Sequence, residues 1–261
     1  MLLAVDVGNT EITLGVFHAD DLAFTWRLST RAERTADELA VLLGELLAQR
    51  DLAFDSQVTA VVVSSVVPTA TQALREMTQR YFNYPPIVVG PGTKTGIPIK
   101  TDNPREVGAD RVVNALAAVE RYGAPCVVVD FGTATTYDAI SPSGEYVGGA
   151  IAPGLQASGA SLFHATARLT QVELAAPKAA IGKNTSESLQ SGLIFGTAAE
   201  VDGMVARVRD ELGEDATTIA TGGYADVIVP HCASIDELDP WLTLEGLRLI
   251  FDRNAGVAAD E

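Results

Sequence analysis

An apolar run that ends in an acid and a glycine turn is the stretch of this sequence best suited to chemistry. Cys126–Val129 is continuously apolar, Asp130 follows it, and Gly132 and Thr133 then turn the chain back. Such a run predicts a strand buried on both faces, with the acid exposed where the strand stops. The strand would fix the carboxylate and the turn would supply amide and hydroxyl donors, a combination that can hold a metal-bound phosphate.

The same pattern occurs near the N-terminus. Leu2–Val5 leads into Asp6, and Gly8, Asn9 and Thr10 follow. An ordinary β-hairpin would account for this copy alone, but the second copy favours one strand–turn–strand unit that is used twice. Two such halves facing each other would place two acids and two phosphate-holding turns across one cleft.

A third candidate group, Asp110 with Arg111, follows the long glycine- and proline-rich segment Gly90–Arg105. A loop of this length in a compact domain is more often functional than not. The periodicity after it predicts a helix, with Asp110 and Arg111 in the first turn. The helix dipole alone also favours an acid there, so the alternative is a structural role. The position directly before the second phosphate turn favours a functional one.

Composition excludes several classes of function. The 261 residues carry a net charge of −16, from 34 acids against 18 bases. A field of that sign repels nucleic acid and anionic membranes, so we expect neither as a partner. It also opposes an anionic nucleotide, so a phosphate site must rely on amide donors and a metal ion.

The expected compartment is the cytoplasm, with reduced cysteines. No window has about 18 consecutive apolar residues, and the N-terminus lacks a basic signal-peptide flank. Cys126 and Cys232 are the two cysteines, and neither has the spacing of a zinc site.

Hydrophobic periodicity predicts an α/β protein, with strands at 2–7, 12–17, 22–28, 58–65, 85–89, 126–130, 135–140, 145–147 and 217–221. Helices are expected over 35–50, 69–81, 107–122, 155–168, 185–212 and from 243. The internal repeat predicts two domains, 1–123 with the first phosphate turn, the long loop and Asp110, and 124–261 with the second turn.

Some local expectations concern single residues. Thr35 should open a capping box and Thr185 is a candidate N-cap. Gly192 and Gly196 lie one turn apart on a helix and predict close packing. The serines that end strand 58–65 are interpreted as a polar strand terminus, with a position facing the cleft as the alternative.

Seven stretches of the sequence resemble type III pantothenate kinase, a branch of the actin-like ATPase and sugar kinase superfamily. Asp6–Thr10 and Asp130–Asp138 alone would indicate only the superfamily, whereas VGADR at 107–111 and IGKNT at 181–185 point to this branch. The stretches are DVGNT at 6–10, PREVGADRVVNALAA at 104–118, DFGTATTYD at 130–138, GGAIAPG at 148–154, IGKNTSES at 181–188, ATGGYA at 220–225 and LTLEGL at 242–247.

The resemblance implies two actin-like (ribonuclease H-like) domains, each a five-stranded mixed sheet with helices, and ATP in the cleft between them. It implies ATP-dependent phosphorylation of pantothenate to 4′-phosphopantothenate, the entry step of coenzyme A synthesis, with Mg²⁺ and a monovalent cation, K⁺ or NH₄⁺. It also implies a homodimer.

The resemblance also implies residue roles. Asp110 would be the general base, Asp6 would lie near the magnesium ion, and Asp130 would bind the monovalent cation. Pantothenate would contact Thr101, Gly108, Ala109, Asp110, Arg111 and Thr185. ATP and its phosphates would contact Asp6, Val7, Gly8, Asn9, Thr10, Glu11, Ile12, Thr13, Gly132, Thr133, Gly222 and Gly223.

Two alternatives to this function stay open. A kinase of the same fold could act on another small hydroxylated substrate, although the VGADR and IGKNT stretches argue against that. A non-catalytic regulatory or accessory protein of the same fold predicts the loss of one or more acids, and Asp6, Asp110 and Asp130 are all present. Thr101 departs from relatives that have a tyrosine there, which leaves part of the pantothenate contact in question.

Overall fold

The chain forms two five-stranded mixed sheets with helices, as the resemblance implies. The structure is a computed structural model and describes residues 1–53, 56–165, 172–213 and 215–255. The strands are β1 Leu2–Val7, β2 Glu11–His18, β3 Asp21–Ser29, β4 Ala60–Ser65, β5 Ile87–Val88, β6 Cys126–Phe131, β7 Ala134–Ile140, β8 Tyr146–Pro153, β9 Thr217–Thr221 and β10 Glu237–Leu238. The helices are α1 Ala36–Ala48, α2 Pro68–Tyr81, α3 Ala109–Tyr122, α4 Leu155–Ala165, α5 Thr185–Leu212, α6 Ala225–Ile228 and α7 Leu242–Asn254.

The two sheets repeat one topology. The first has the order β3-β2-β1-β4-β5 and the second the order β8-β7-β6-β9-β10. In each, the central strand is antiparallel to the strand that follows it and parallel to the strand on its other side. The duplication inferred from the two acid-and-glycine stretches is therefore confirmed at the level of strand order and direction.

Each central strand is buried on both faces, which explains its continuous apolar run. In β1, Val5 and Val7 face a cluster that includes Leu43 of α1 and Leu74 of α2. The opposite face of the first sheet receives α7, since a side chain added at Gly15 would meet Leu244 at 2.8 Å. In β6, Val127 and Val129 face the cluster formed with α5.

Contacts group the chain into two units that are not continuous in sequence. The first unit comprises Met1–Gly96, Asn103–Ala117 and Thr243–Glu261, and the second comprises Ile97–Asp102 and Ala118–Leu242. The predicted boundary after residue 123 lies near the division within α3. By contacts, however, α7 belongs with the first unit, whereas the sequence analysis assigned all of 124–261 to the second domain.

Several local expectations are corrected. Gly148 and Gly149 lie inside β8, which extends to Pro153, because an edge strand needs only backbone pairing and Gly148 adopts a φ of +132° beside a register shift. The sequence predicted β9 but not β10, the short strand that pairs with it in parallel. The capping box of Thr35 with Glu38 is confirmed. The predicted end of α4 at residue 168 lies outside the described residues.

No helix in the described part of the chain is long and apolar enough to cross a membrane.

Candidate active site

Asp6 occupies the penultimate position of β1 and lies between two hydroxyl residues. Thr13 of β2 and Ser64 of β4 are its direct neighbours in register. Because side chains at matched positions of neighbouring strands share a face, all three lie on one side of the first sheet. That side is opposite the α1/α2 cluster, which contains Val5, Val7 and Val63.

The turn after β1 is a tight hairpin whose tip is exposed. The Gly8 amide donates to the carbonyl of Glu11 at 2.9 Å, which leaves Asn9 and Thr10 at the tip. The hydroxyl of Thr30 donates to the Gly8 carbonyl at 2.7 Å and so ties the turn to the end of β3. The predicted phosphate-binding residues 8–10 thus form a braced loop at the carboxyl end of the strand that carries Asp6.

Asp130 occupies the corresponding position in the second sheet. Thr136 of β7 and Thr221 of β9 flank it in register, as Thr13 and Ser64 flank Asp6. The turn that follows is shorter by one residue, since the Gly132 amide donates to the carbonyl of Ala134 at 3.0 Å. Asp130 is half-buried and Thr133 is exposed at the tip.

Two glycines pack around this second turn. A Cβ added at Gly154 would meet the Gly132 carbonyl oxygen at 2.7 Å, and one added at Gly222 would meet the Phe131 amide nitrogen at 2.6 Å. The added atom at Gly222 would also overlap a carboxylate oxygen of Asp130. Gly222 has a φ of +98°, which glycine adopts without strain. The predicted adenosine turn, Gly222 with Gly223, therefore lies directly beside Asp130.

Asp110 and Arg111 lie in the first turn of α3, as predicted, and both are half-buried. A carboxylate oxygen of Asp110 accepts a hydrogen bond from the Arg111 amide at 2.9 Å. A Cβ at Gly108 would come within 2.5 Å of the same oxygen. Glycine at 108 therefore keeps one side of the Asp110 carboxylate uncovered, which a proton-accepting group requires.

Helix α7 packs closely on α3 one turn beyond Asp110. The hydroxyl of Thr243 donates to Oδ1 of Asn114 at 2.7 Å, and Asn114 is 1% exposed. A Cβ at Gly246 would overlap the Val113 carbonyl oxygen and lie 2.7 Å from Val113 Cγ1. The two helix backbones therefore approach so closely that residue 246 has no room for a side chain.

The far end of α3 is held by the buried carboxylate of Asp239. The Tyr122 hydroxyl donates to Asp239 at 3.0 Å, and Arg121 forms an ion pair with the same oxygen at 3.1 Å. Burial, together with the negative charge of Asp239, raises the pKa of Tyr122 to about 12. Both ends of the helix that carries Asp110 are thus fixed by polar contacts.

The long loop before α3 is anchored at two places. Asn254 of α7 exchanges hydrogen bonds with the backbone of Lys94, at 3.1 and 3.0 Å. Farther along, the Lys100 amide donates to the carbonyl of Tyr146, and the Tyr146 amide donates to Pro98. Thr101, predicted to contact substrate, follows this pairing, and its buried hydroxyl has no hydrogen-bond partner among the described residues.

Thr185 is exposed at the first position of α5, and the expectation that it caps this helix is wrong. Asn184 is the N-cap, and its side-chain oxygen accepts from the Glu187 amide at 2.9 Å. Because the cap is supplied by its neighbour, the Thr185 hydroxyl is not used for capping. A Cβ at Gly182 would overlap the start of the same helix.

The cysteines are not reactive groups of the site. Both are free thiols, as predicted, and burial raises the pKa of Cys126 and of Cys232 to about 12. Across the residues that the structure describes, no three side chains of histidine, cysteine, aspartate or glutamate converge to hold a metal ion. A magnesium ion would fit the usual arrangement of one carboxylate with nucleotide phosphates and water.

Sequence reasoning interpreted Ser64 as a polar strand end and did not assign a role to Asn114 or Gly246. It expected Thr243 to cap the last helix, which is wrong, because α7 already begins at Leu242 and the Thr243 hydroxyl donates to Asn114. Alignment of β4 with β9 in the internal repeat could have drawn attention to Ser64, because Thr221 takes the same place beside Asp130. The contact of α7 with α3 has no signal in the sequence beyond a glycine in a helix.

Comparison with known proteins gives one family. The family model of type III pantothenate kinase matches residues 2–207. A protein named type III pantothenate kinase from Streptomyces griseus subsp. griseus is 51% identical over 265 residues, which cover 99% of this chain and all of the relative.

Solved structures agree on the fold. The activator of the 2-hydroxyisocaproyl-CoA dehydratase from Clostridium difficile, with bound ADPNP, has a TM-score of 0.55 at 11% identity and covers 100% of this chain and 98% of its own. The ROK hexokinase from Thermus thermophilus has a TM-score of 0.52 at 13% identity and covers 98% and 99%. At these identities the likeness shows the fold alone, which is that of the actin-like ATPases and sugar kinases.

Proposed function

The chain belongs to the type III pantothenate kinase family, and on that premise we propose which of its residues carry the reaction. The enzyme uses ATP to phosphorylate pantothenate to 4′-phosphopantothenate in coenzyme A biosynthesis. ATP is used with Mg²⁺. The observation that carries the residue roles is the pair of equivalent acids, Asp6 and Asp130, each at the end of a central strand before a glycine turn, together with Asp110 at the start of α3.

Asp110 acts as the general base. Its carboxylate accepts the proton of the pantothenate hydroxyl while that oxygen forms a bond to the γ-phosphorus in line with the departing ADP. The half-buried position of Asp110 supports this role, and so does the glycine at 108, because a side chain there would crowd the carboxylate.

Pantothenate is bound by the residues around Asp110 and by the long loop. Arg111 pairs with the substrate carboxylate, to which a guanidinium can donate two parallel hydrogen bonds. Gly108 and Ala109 line the same turn, and Thr101 and Thr185 supply hydroxyls. The buried Thr101 hydroxyl, which has no partner in the described part of the chain, and the Thr185 hydroxyl, which is not used for capping, both suit a polar ligand.

The phosphates of ATP are bound by the two glycine turns. Residues Asp6 to Thr13 and Gly132 with Thr133 supply amides and hydroxyls, and Gly222 with Gly223 borders the adenosine. Asp6 would hold the magnesium ion together with the phosphates, where the ion would supply positive charge next to the group that is transferred. The net charge of −16 opposes an anionic nucleotide, and this neutralisation would reduce that repulsion.

Asp130 binds a monovalent cation, K⁺ or NH₄⁺. The absence of a side chain at Gly222 supports this, because a Cβ there would occupy the space against the Asp130 carboxylate. Thr136 and Thr221 flank that carboxylate on the same face of the sheet, and hydroxyl oxygens are suitable ligands for such a cation. We further propose that the protein is a cytoplasmic homodimer.

The test is ADP release by the purified protein with Mg²⁺ and ATP, with and without pantothenate, in potassium and in sodium buffer. Release that depends on pantothenate and rises with potassium is expected. No release in either buffer from a folded protein that binds ATP would favour another acceptor or a non-catalytic regulatory role.

Asp110→Asn should lower turnover by about 10²–10⁴-fold, because the proton acceptor is lost, while nucleotide affinity stays near that of the parent. Asp21→Asn, at an exposed carboxylate where β3 begins, is the matched control and should leave turnover unchanged. Near-normal turnover of Asp110→Asn would remove Asp110 from this role.

A further inference from the structure

Ser64 is a fully buried serine whose hydroxyl has no hydrogen-bond partner among the described residues. Burying a hydroxyl without a partner is unfavourable, and such groups are rare in folded proteins. By contrast, the next residue, Ser65, is satisfied, because its hydroxyl both donates to the Val67 carbonyl and accepts from the Val67 amide at 3.1 Å. Ser64 is therefore the residue at this strand end whose polar atom needs an explanation.

Register places Ser64 beside Asp6. The two residues are direct partners on the parallel strands β4 and β1, with Cα atoms about 5 Å apart, and their side chains share the face away from α1 and α2. Val61 and Val63, the alternate residues of β4, point into the opposite core cluster. A short hydroxyl side chain at this position can reach the neighbouring carboxylate and is shielded from water.

The second sheet repeats the arrangement. Thr221 of β9 lies beside Asp130 as Ser64 of β4 lies beside Asp6, and Thr221 is also buried. Each of the two acids therefore has a buried hydroxyl residue on its parallel neighbour. This recurrence on both copies of the fold argues that the hydroxyl serves the acid and is not simply a polar end to the strand.

We propose that Ser64 is a positioning residue of the metal-nucleotide site: its hydroxyl donates a hydrogen bond to the Asp6 carboxylate when that carboxylate engages the magnesium-bound phosphates. The inference rests on the proposed role of Asp6. A hydrogen bond to a carboxylate is stronger than one between neutral groups and fixes the orientation of its oxygens. Ser64 itself is too deeply buried to touch the nucleotide and acts through Asp6.

The test is Ser64→Ala, with two readouts expected to move in opposite directions. The thermal midpoint of the protein without nucleotide should rise by about 2–4 °C, because an unsatisfied buried hydroxyl is removed. Affinity for a non-hydrolysable ATP analogue, measured by calorimetry in Mg²⁺, should fall about tenfold, as expected for the loss of one charge-assisted hydrogen bond. Affinity for the same analogue in EDTA should stay unchanged.

Thr218→Val is the matched control. Thr218 of β9 also has a buried hydroxyl without a partner among the described residues, but it is on the face that packs against the α5 cluster, where Ala216 and Ala220 also point. Deleting that hydroxyl should raise the thermal midpoint in the same way and leave nucleotide affinity unchanged in both buffers.

Two results would overturn the inference while leaving the proposed function intact. Unchanged Mg²⁺-dependent affinity in Ser64→Ala would mean that the hydroxyl does not serve Asp6, and a lowered midpoint without nucleotide would mean that it is a structural hydrogen-bond group. If the parent protein itself binds the analogue equally with and without Mg²⁺, the proposed role of Asp6 fails, and the role of Ser64 fails with it.

Discussion

Gly246→Ala is expected to destabilise the protein, although alanine is the better helix former. In the middle of a helix, alanine is favoured over glycine by about 1 kcal/mol. Against this, the new Cβ would overlap the Val113 carbonyl oxygen and approach Val113 Cγ1 to 2.7 Å and its carbonyl carbon to 2.9 Å. Because the obstructing oxygen belongs to the buried backbone of α3, it cannot rotate away, and the helices must separate.

Forcing an extra methyl into a packed contact costs about 1–3 kcal/mol. Three Val113 atoms lie within the forbidden distance, so we take the upper part of that range, which leaves a net loss of about 1–2 kcal/mol after the gain in helix propensity. The thermal midpoint should then fall by roughly 2–8 °C, since each kcal/mol shifts it by about 2–4 °C in a protein of about this size.

Gly44→Ala is the control for helix propensity. Gly44 lies in the middle of α1, and a Cβ there would meet no atom within 4 Å. This variant should raise the midpoint by about 2–4 °C. Scanning calorimetry of both variants against the parent measures the difference. A Gly246→Ala protein as stable as Gly44→Ala would refute the close approach of α7 to α3.

Gly246→Ala should also lower kcat/KM for pantothenate, because Val113 is one turn beyond Asp110. A shift of about 1 Å near reacting groups can lower the rate about 10²-fold. The control variant changes a helix on the opposite face of the sheet, and its kinetics should match those of the parent. An unchanged kcat/KM in a destabilised Gly246→Ala protein would show that α3 adjusts without moving Asp110.

Two further outcomes follow from raised pKa values. The pKa of Tyr122 is near 10 in the unfolded chain and about 12 in the folded protein, so its stabilising contribution is complete below pH 10 and is lost as the pH rises towards 12. Urea unfolding measured from pH 9 to 11 should show the parent losing stability relative to Tyr122→Phe. Parallel pH curves for the two proteins would contradict the raised pKa. Cys126 and Cys232, with pKa values of about 12, should resist a thiol reagent at pH 8 until the protein is denatured, and rapid labelling of the folded protein would contradict their burial.

The strands and their acids could be predicted because burial on both faces leaves a signal that does not depend on neighbours. The apolar runs before Asp6 and Asp130 are enough to identify both as central strands from the sequence alone. Gly148 and Gly149 were placed outside the strand because glycine resembles a turn in sequence, yet the edge strand β8 requires only their backbone groups. Edge positions therefore remain the difficult part of such a prediction.

Contacts between distant segments could not be predicted. Gly192 and Gly196, one turn apart, suggested close helix packing, but a Cβ at either would meet no atom within 4 Å. The close approach occurs at Gly246 instead, where one glycine faces a helix more than a hundred residues earlier in the chain. Whether a glycine in a helix marks a close contact depends on which atom lies opposite it, and the sequence does not reveal that atom.

The sequence contains the acids and glycines of the proposed site in recognisable patterns, but it does not show which residues lie beside them. The acids and glycines are recognisable as types at fixed spacing, whereas the place of Ser64 next to Asp6 depends on the register of β4 against β1. A one-residue shift of that register would turn the Ser64 side chain to the opposite face of the sheet. Single-sequence reasoning therefore leaves open whether such a serine serves the site or only ends a strand.

The division of the first unit into three chain segments has a consequence for synthesis on the ribosome. Its last segment, from Thr243, contains α7, whose Leu244 covers the sheet at Gly15. The second unit is complete at Leu242, so the part of the protein that is translated later can finish folding first. Until the final helix emerges, the first sheet lacks the cover that Leu244 gives at Gly15, and nascent chains or chains truncated before Thr243 should be the forms most in need of a chaperone.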